Sequence, residues 1–154
     1  MFNIAISIID ISMKKIEEVI LFQIEQASKA SKQYSQREFD RLGITITVEQ
    51  WILLKIISEA TDLTQKALAL KSSRDPASIT RTLDLLQKKE YITREKVPNN
   101  RRSYFICLTE KGAKFIDQHM GVVSAQREKS VEGLSQKELN MLSDMLIRIR
   151  KNME

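Results

Sequence analysis

The segment LTQKALALKSSRDPASITRTLDLLQKKEYITREKVPNNRRSYFICLTEKG, Leu63 to Gly112, carries most of the information in this chain of 154 residues. Thr64 is placed to cap a short helix from Gln65 to about Lys71, and Ser72-Ser73-Arg74 makes a turn. Asp75-Pro76 then opens a second helix. The aspartate side chain accepts from an orphan amide of the first turn, and proline there lacks an N–H that would have no helical partner. Along Pro76 to Lys89, at about 100° per residue, Ile79, Leu83 and Leu86 fall on one side. Ala77, Ser78, Thr80, Arg81, Asp84 and Lys88 fall opposite. A face of small, polar and basic side chains suits a major groove, where short groups permit close approach and arginine reads a guanine edge.

Tyr91 to Glu95 and Tyr104 to Leu108 are rich in β-branched and aromatic residues and read as strands. Between them, Val97-Pro-Asn-Asn-Arg-Arg-Ser103 reads as a turn. Arg101 and Arg102 at such a tip have no core to serve, and phosphate or minor-groove contacts are expected of them. Charge converges on the same place. Residues 61–112 hold eleven Lys+Arg against six Asp+Glu, whereas 1–60 hold seven against eight and 113–154 seven against six. The chain's net charge of +5 therefore lies in one window, the footprint of a phosphate-backbone binder.

Around this window the chain reads as long helices. One is expected from about Met13 to Leu42, ended by Gly43; another starts at Thr47, whose Thr-Val-Glu-Gln50 has the capping-box pattern. Thr109 opens a helix to about Val131, and Ser135-Gln-Lys-Glu138 opens the last. There Leu139, Leu142, Leu146, Ile149 and Met153 alternate spacings of three and four, a sustained apolar seam. The economical expectation is that the first and last helices pack together and that two subunits share the bundle. The apolar start, Met1 to Met13, lacks a basic n-region, carries Asp10, and is too short to span a bilayer. It is expected to pack on a partner or on the following helix, and no membrane association is expected. One cysteine and one histidine exclude a disulfide framework and a Cys- or His-rich metal site, and a cytoplasmic protein without a cofactor is the natural expectation.

Five pieces in order resemble the MarR family of dimeric winged-helix transcription regulators. They are Leu42 to Trp51, Gln65 to Ala69, Asp75 to Leu86, Pro98 to Arg102, and Leu108 to Gly112. The resemblance implies a mainly α fold: a winged helix-turn-helix over 46–112 with a three-stranded wing, and a helical dimerisation bundle from 1–45 and 113–154. It makes Pro76–Lys89 the recognition helix and the Arg101-Arg102 hairpin the wing. The partners it implies are a second copy of the chain, double-stranded DNA with a pseudo-palindromic operator, and a small aromatic or anionic effector in the cleft between bundle and winged helix. Ser78, Thr80 and Arg81, with Ala77 beside them, are then expected at base edges. Arg74, Lys88, Arg101 and Arg102 are expected at phosphates or the minor groove. Asn100 stands where the family carries Asp, Ser72-Ser73-Arg74 replaces Leu-Gly-Leu, Glu90 replaces Gly, and Leu85 replaces a basic residue.

Competing readings attach to single residues and to the whole chain. Cys107 reads as a small strand residue rather than a redox sensor, since no basic side chain adjoins it. His119 reads as a satisfied histidine, and Trp51 and Tyr34 as core rather than effector-pocket aromatics. No nucleophile–base pair, metal cluster or Gly-rich phosphate loop points to an enzyme. A repressor relieved by an effector, a regulator without one, and a winged helix that binds only protein remain distinct alternatives.

Overall fold

Each helix begins where a capping side chain stands, the first excepted. The computed structural model describes residues 15–98 and 100–154, with the backbone alone at Arg101 and Arg102; the apolar segment 1–12 and its expected packing lie outside them. A 3-10 turn, Ile16–Glu18, precedes helix α1, Ile20–Arg41. The single helix expected from Met13 is thus interrupted. Val19 is extended (φ −74°, ψ 121°) and no side chain caps there, so α1 starts only at Ile20. Its end is as expected: Gly43 takes φ +65°, and Ile44 N–H reaches back to the Phe39 carbonyl at 2.9 Å.

Helix α2, Val48–Ser58, opens with the reciprocal bonds of a capping box between Thr47 and Gln50. It buries Trp51, Leu53, Leu54 and Ile57. Helix α3 is Gln65–Ser72, capped by Thr64, and α4 is Pro76–Lys88, capped by Asp75 with proline in its first turn. Ile79, Leu83 and Leu86 of α4 are completely buried, as their spacing requires. Burying each such side chain contributes roughly 1.5–3 kcal/mol, so this stripe alone pins α4 to the core. Tyr91, Ile92, Ile106, Phe115 and Ile116 close the core from the other side.

Strands β1, Ile92–Val97, and β2, Asn100–Leu108, pair antiparallel from Ile92↔Leu108 to Lys96↔Tyr104. The next pairing is Val97↔Asn100, so Arg101 to Ser103 lie inside β2 at an irregularity rather than in a long turn. The wing has two strands, not the expected three. The third position is reduced to one bridge, Thr64↔Phe105, with Ile106 N–H on the Leu63 carbonyl at 2.8 Å. Its length is limited on both sides: Asp62 bends the chain at φ 51°, and Thr64 is already the cap of α3.

Helix α5, Glu110–Ser130, is docked through its first turn onto the end of α4. Thr109 N–H donates to the Tyr91 carbonyl (3.1 Å) and its hydroxyl donates to that of Glu90 (2.7 Å). A Cβ at Gly112 would collide with the Tyr91 carbonyl oxygen, which is why that turn ends in glycine. Helix α6, Gln136–Lys151, has the expected capping box at Ser135 but buries none of its residues within the protomer. The expected packing of first helix on last is therefore not made inside one chain. Met141, Leu142, Met145 and Leu146 of α6 are exposed, as are Ile16, Ile20 and Leu21 at the other end.

Both ends of α4 are bounded by left-handed residues that carry a Cβ: Ser73 (φ 53°) before it and Glu90 (φ 62°) after it. Left-handed backbone costs such residues roughly 1–2 kcal/mol, of which glycine's own entropy loss takes back about 0.5–1 kcal/mol on substitution. Ser73→Gly should therefore stabilise the chain by roughly 0.5–1 kcal/mol, read as a rise in the thermal midpoint of about 2 °C. Glu90→Gly should raise it less, because it also removes the ion pair with Lys111 (2.6 Å). Gly112→Ala should act oppositely and lower stability by about 1–3 kcal/mol, since backbone rather than a pliant side chain must yield.

Candidate nucleic-acid interface

With its stripe buried, α4 can turn only one face outward. Ala77, Thr80, Arg81, Asp84, Leu85 and Lys88 are exposed on it, and Ser78 is half-buried. Asp75 Oδ1 accepts the Ser78 N–H at 2.8 Å, which fixes the first turn. Among the described residues nothing pairs with the side chains of Arg81 or Lys88. Thr80 is engaged: its hydroxyl donates to the Pro76 carbonyl (2.9 Å) and accepts from Gln65 Nε2 (2.6 Å). Arg101 and Arg102 stand on β2 beside the hairpin tip, in the irregular part of the ladder.

Arg74 is placed differently from the other cations. Its guanidinium is paired with Glu49 of α2, and Lys32 of α1 holds the second oxygen of the same carboxylate at 2.9 Å. The Arg74 side chain is only 19% exposed, and burial lowers its pKa from the ordinary arginine value. Glu49 thus ties α1, α2 and the turn before α4 together. Nothing in the sequence signalled this, because the three residues are far apart along the chain.

A second tie was equally hidden. Arg94 of β1 reaches Asp84 Oδ1 and Gln87 Oε1 of α4, each at 2.7 Å. Asp84 and Gln87 stand three apart and so share a side of the helix, the one local hint available. This fork anchors α4 to the wing and neutralises the one acid on the outer face. In β2, Cys107 is half-buried, and its thiol pKa is pushed up by burial first and then by Glu95 and Asp62. A raised pKa disfavours the thiolate, so Cys107 has the environment of a packing residue. His119 Nδ1 lies 2.9 Å from the Phe115 carbonyl and its ring lies against the Phe115 ring. Trp51 is core, edge-on to Phe39.

Two cavities bear on ligand binding. One of about 930 Å³ lies between α3, the start of α4 and β2, with Lys66, Leu70, Arg74 and Tyr104 in its walls. The other, at the junction of α1, α2 and α5, on the side of the cleft in which the family resemblance implies an effector, is only about 140 Å³. No described helix is long and apolar enough to cross a membrane.

Residues 46–104 match the model of the MarR family. The fold is similar to that of a mutant MarR from E. coli complexed with operator DNA, at 25% identity over 88% of this chain and 98% of that one, with a TM-score of 0.77. It is similar also to the transcriptional regulator SlyA, at 27% identity over 87% and 93% of the two chains and a TM-score of 0.78. The S. aureus MepR–DNA complex shares the fold at 21% identity, over 87% of this chain and 98% of that one, with a TM-score of 0.78. A winged helix that matches the family model over residues 46–104, inside an architecture shared nearly end to end with solved regulators of that kind, makes this chain similar to the MarR family.

Proposed function

We propose that the chain is a homodimeric, sequence-specific regulator of transcription that binds double-stranded DNA through α4 and the wing. The observation that carries this is the outer face of α4. Arg81 and Lys88 stand there without protein partners among the described residues, on a helix whose opposite stripe is completely buried. An unpaired cation on a rigid helix beside an arginine-bearing hairpin is a geometry for base edges and phosphates, not for a core. The E. coli MarR and S. aureus MepR structures, both solved with DNA, support the same reading.

In this proposal Ala77, Ser78 and Arg81 face base edges, Thr80 stands among them with its hydroxyl engaged by Pro76 and Gln65, and Lys88, Arg101 and Arg102 meet phosphates or the minor groove. Arg74 holds the turn through Glu49 instead of reaching DNA. The exposed apolar faces of α1 and α6 are covered by a second copy, so that 1–45 and 113–154 form the dimer bundle and 46–112 reads DNA. The finer part of the proposal is repression relieved by a small aromatic or anionic effector. Such a ligand acts only if it binds one spacing of the two recognition helices better than another.

Mobility shifts with the chain's own upstream region, and with duplexes enriched from a random pool, test the DNA assignment. Arg81→Ala should weaken the preferred duplex by roughly 5- to 150-fold, the worth of one bidentate arginine–guanine contact. The Arg101→Ala, Arg102→Ala pair should lower the salt slope of log K by about 1 for each phosphate left unneutralised, and Arg74→Ala should leave that slope unchanged. Enrichment of no duplex would favour the winged helix that binds only protein. Sedimentation equilibrium should give a dimer, and the double variant Leu142→Asp, Leu146→Asp a monomer. A wild-type monomer at micromolar concentration would sink the shared bundle.

A further inference from the structure

Gln65, the first residue of α3, was given no role by the sequence, yet it touches the outer face of α4. Its Nε2 donates to Thr80 Oγ1 at 2.6 Å, and the Thr80 hydroxyl donates to the Pro76 carbonyl one turn back at 2.9 Å. A threonine hydroxyl has one proton. Because Pro76 takes it, the hydroxyl can only accept from Gln65, and this decides which end of the amide turns toward Thr80. The Thr80 hydroxyl therefore has no proton left for a base. The other N–H of Gln65 and its Oε1 carry no hydrogen bond among the described residues. The donor and acceptor at this edge of the reading face thus belong to Gln65, held at one end by a helix whose own position is fixed by the core.

We propose that Gln65 is a specificity-determining residue: its amide, locked by Thr80, presents one acceptor and one donor to the N6–H and N7 of an adenine in the major groove. That two-point match is how glutamine distinguishes adenine from the other bases there. Thr80 is on this account a positioning residue, and Arg81 reads independently of the pair. The inference rests on the DNA-binding reading of α4, and the experiment separates the two.

The full chain is used to enrich duplexes from a random pool, and the position preferences of wild type, Gln65→Ala, Thr80→Val and Arg81→Ala are compared. Wild type should require adenine at one position of each half-site. Gln65→Ala should lower discrimination there by roughly 5- to 150-fold and leave the other positions unchanged. Thr80→Val frees the amide without removing it and should weaken the same position alone. Combined with Gln65→Ala it should add nothing further, as expected of two residues acting as one unit. Each variant's thermal midpoint is checked; if Gln65→Ala does not fold, Gln65→Asn, one methylene too short to reach Thr80, should lose the same preference. If Gln65→Ala weakens all duplexes alike, the amide meets a phosphate and the proposal is wrong. It is equally wrong if preferences are unchanged while Arg81→Ala abolishes them, in which case the DNA-binding reading survives. If wild type enriches no sequence, that reading falls and Gln65 falls with it.

Discussion

Everything on the outer face of α4 depends on three side chains with no access to water. Ile79, Leu83 and Leu86 fix the rotation of α4 about its own axis, and rotation decides which residues face outward. Turning the helix by one residue would expose buried apolar surface, at roughly 1.5–3 kcal/mol for each side chain brought out. The identities on the outer face are thus set only because the inner face is committed. The same three residues also determine where α4 lies against α3, and hence that Gln65 meets Thr80 at all.

Around that helix the molecule uses different materials at each contact. The amino end is held by a cap, Asp75 on the Ser78 amide, and by the Glu49 carboxylate that binds Arg74 and Lys32. The middle is held by Arg94 forked onto Asp84 and Gln87. The carboxyl end is held by the docking of α5, where Thr109 and Gly112 meet Glu90 and Tyr91. Two left-handed residues that are not glycine bound the helix, so the chain accepts strain at both of its ends. The polar ties on three sides compensate for it. They also leave Arg81 as a cation on a well-anchored helix, which is the arrangement a reader of base edges requires.

What could be read along the chain was local. The caps at Thr47, Thr64, Asp75, Thr109 and Ser135 were all legible, because a cap and its amide lie within one turn of each other. The α4 stripe was legible for the same reason: helical period is a property of neighbours. Two local readings went astray. The start of α1 moved to Ile20 because periodicity continued through Val19 while no cap marked a beginning. The arginine pair read as a turn lies in strand β2, because an irregular ladder lets the strand run on to Asn100.

Residue type and spacing alone therefore settled the order of helices, the hairpin, the buried stripe and the position of the basic window. Folding in three dimensions settled which charges remain available. Arg74 and Arg81 look alike in the sequence, yet one is paired with Glu49 and largely buried while the other stands on the outer face. It reduced an expected third strand to the bridge at Thr64, and it left α6 with an apolar seam that no described part of its own chain buries. The reason is common to these cases. A side chain's partner is chosen by whatever acceptor or surface packing brings near it, and that choice is made between segments distant in sequence, where neither period nor cap carries information.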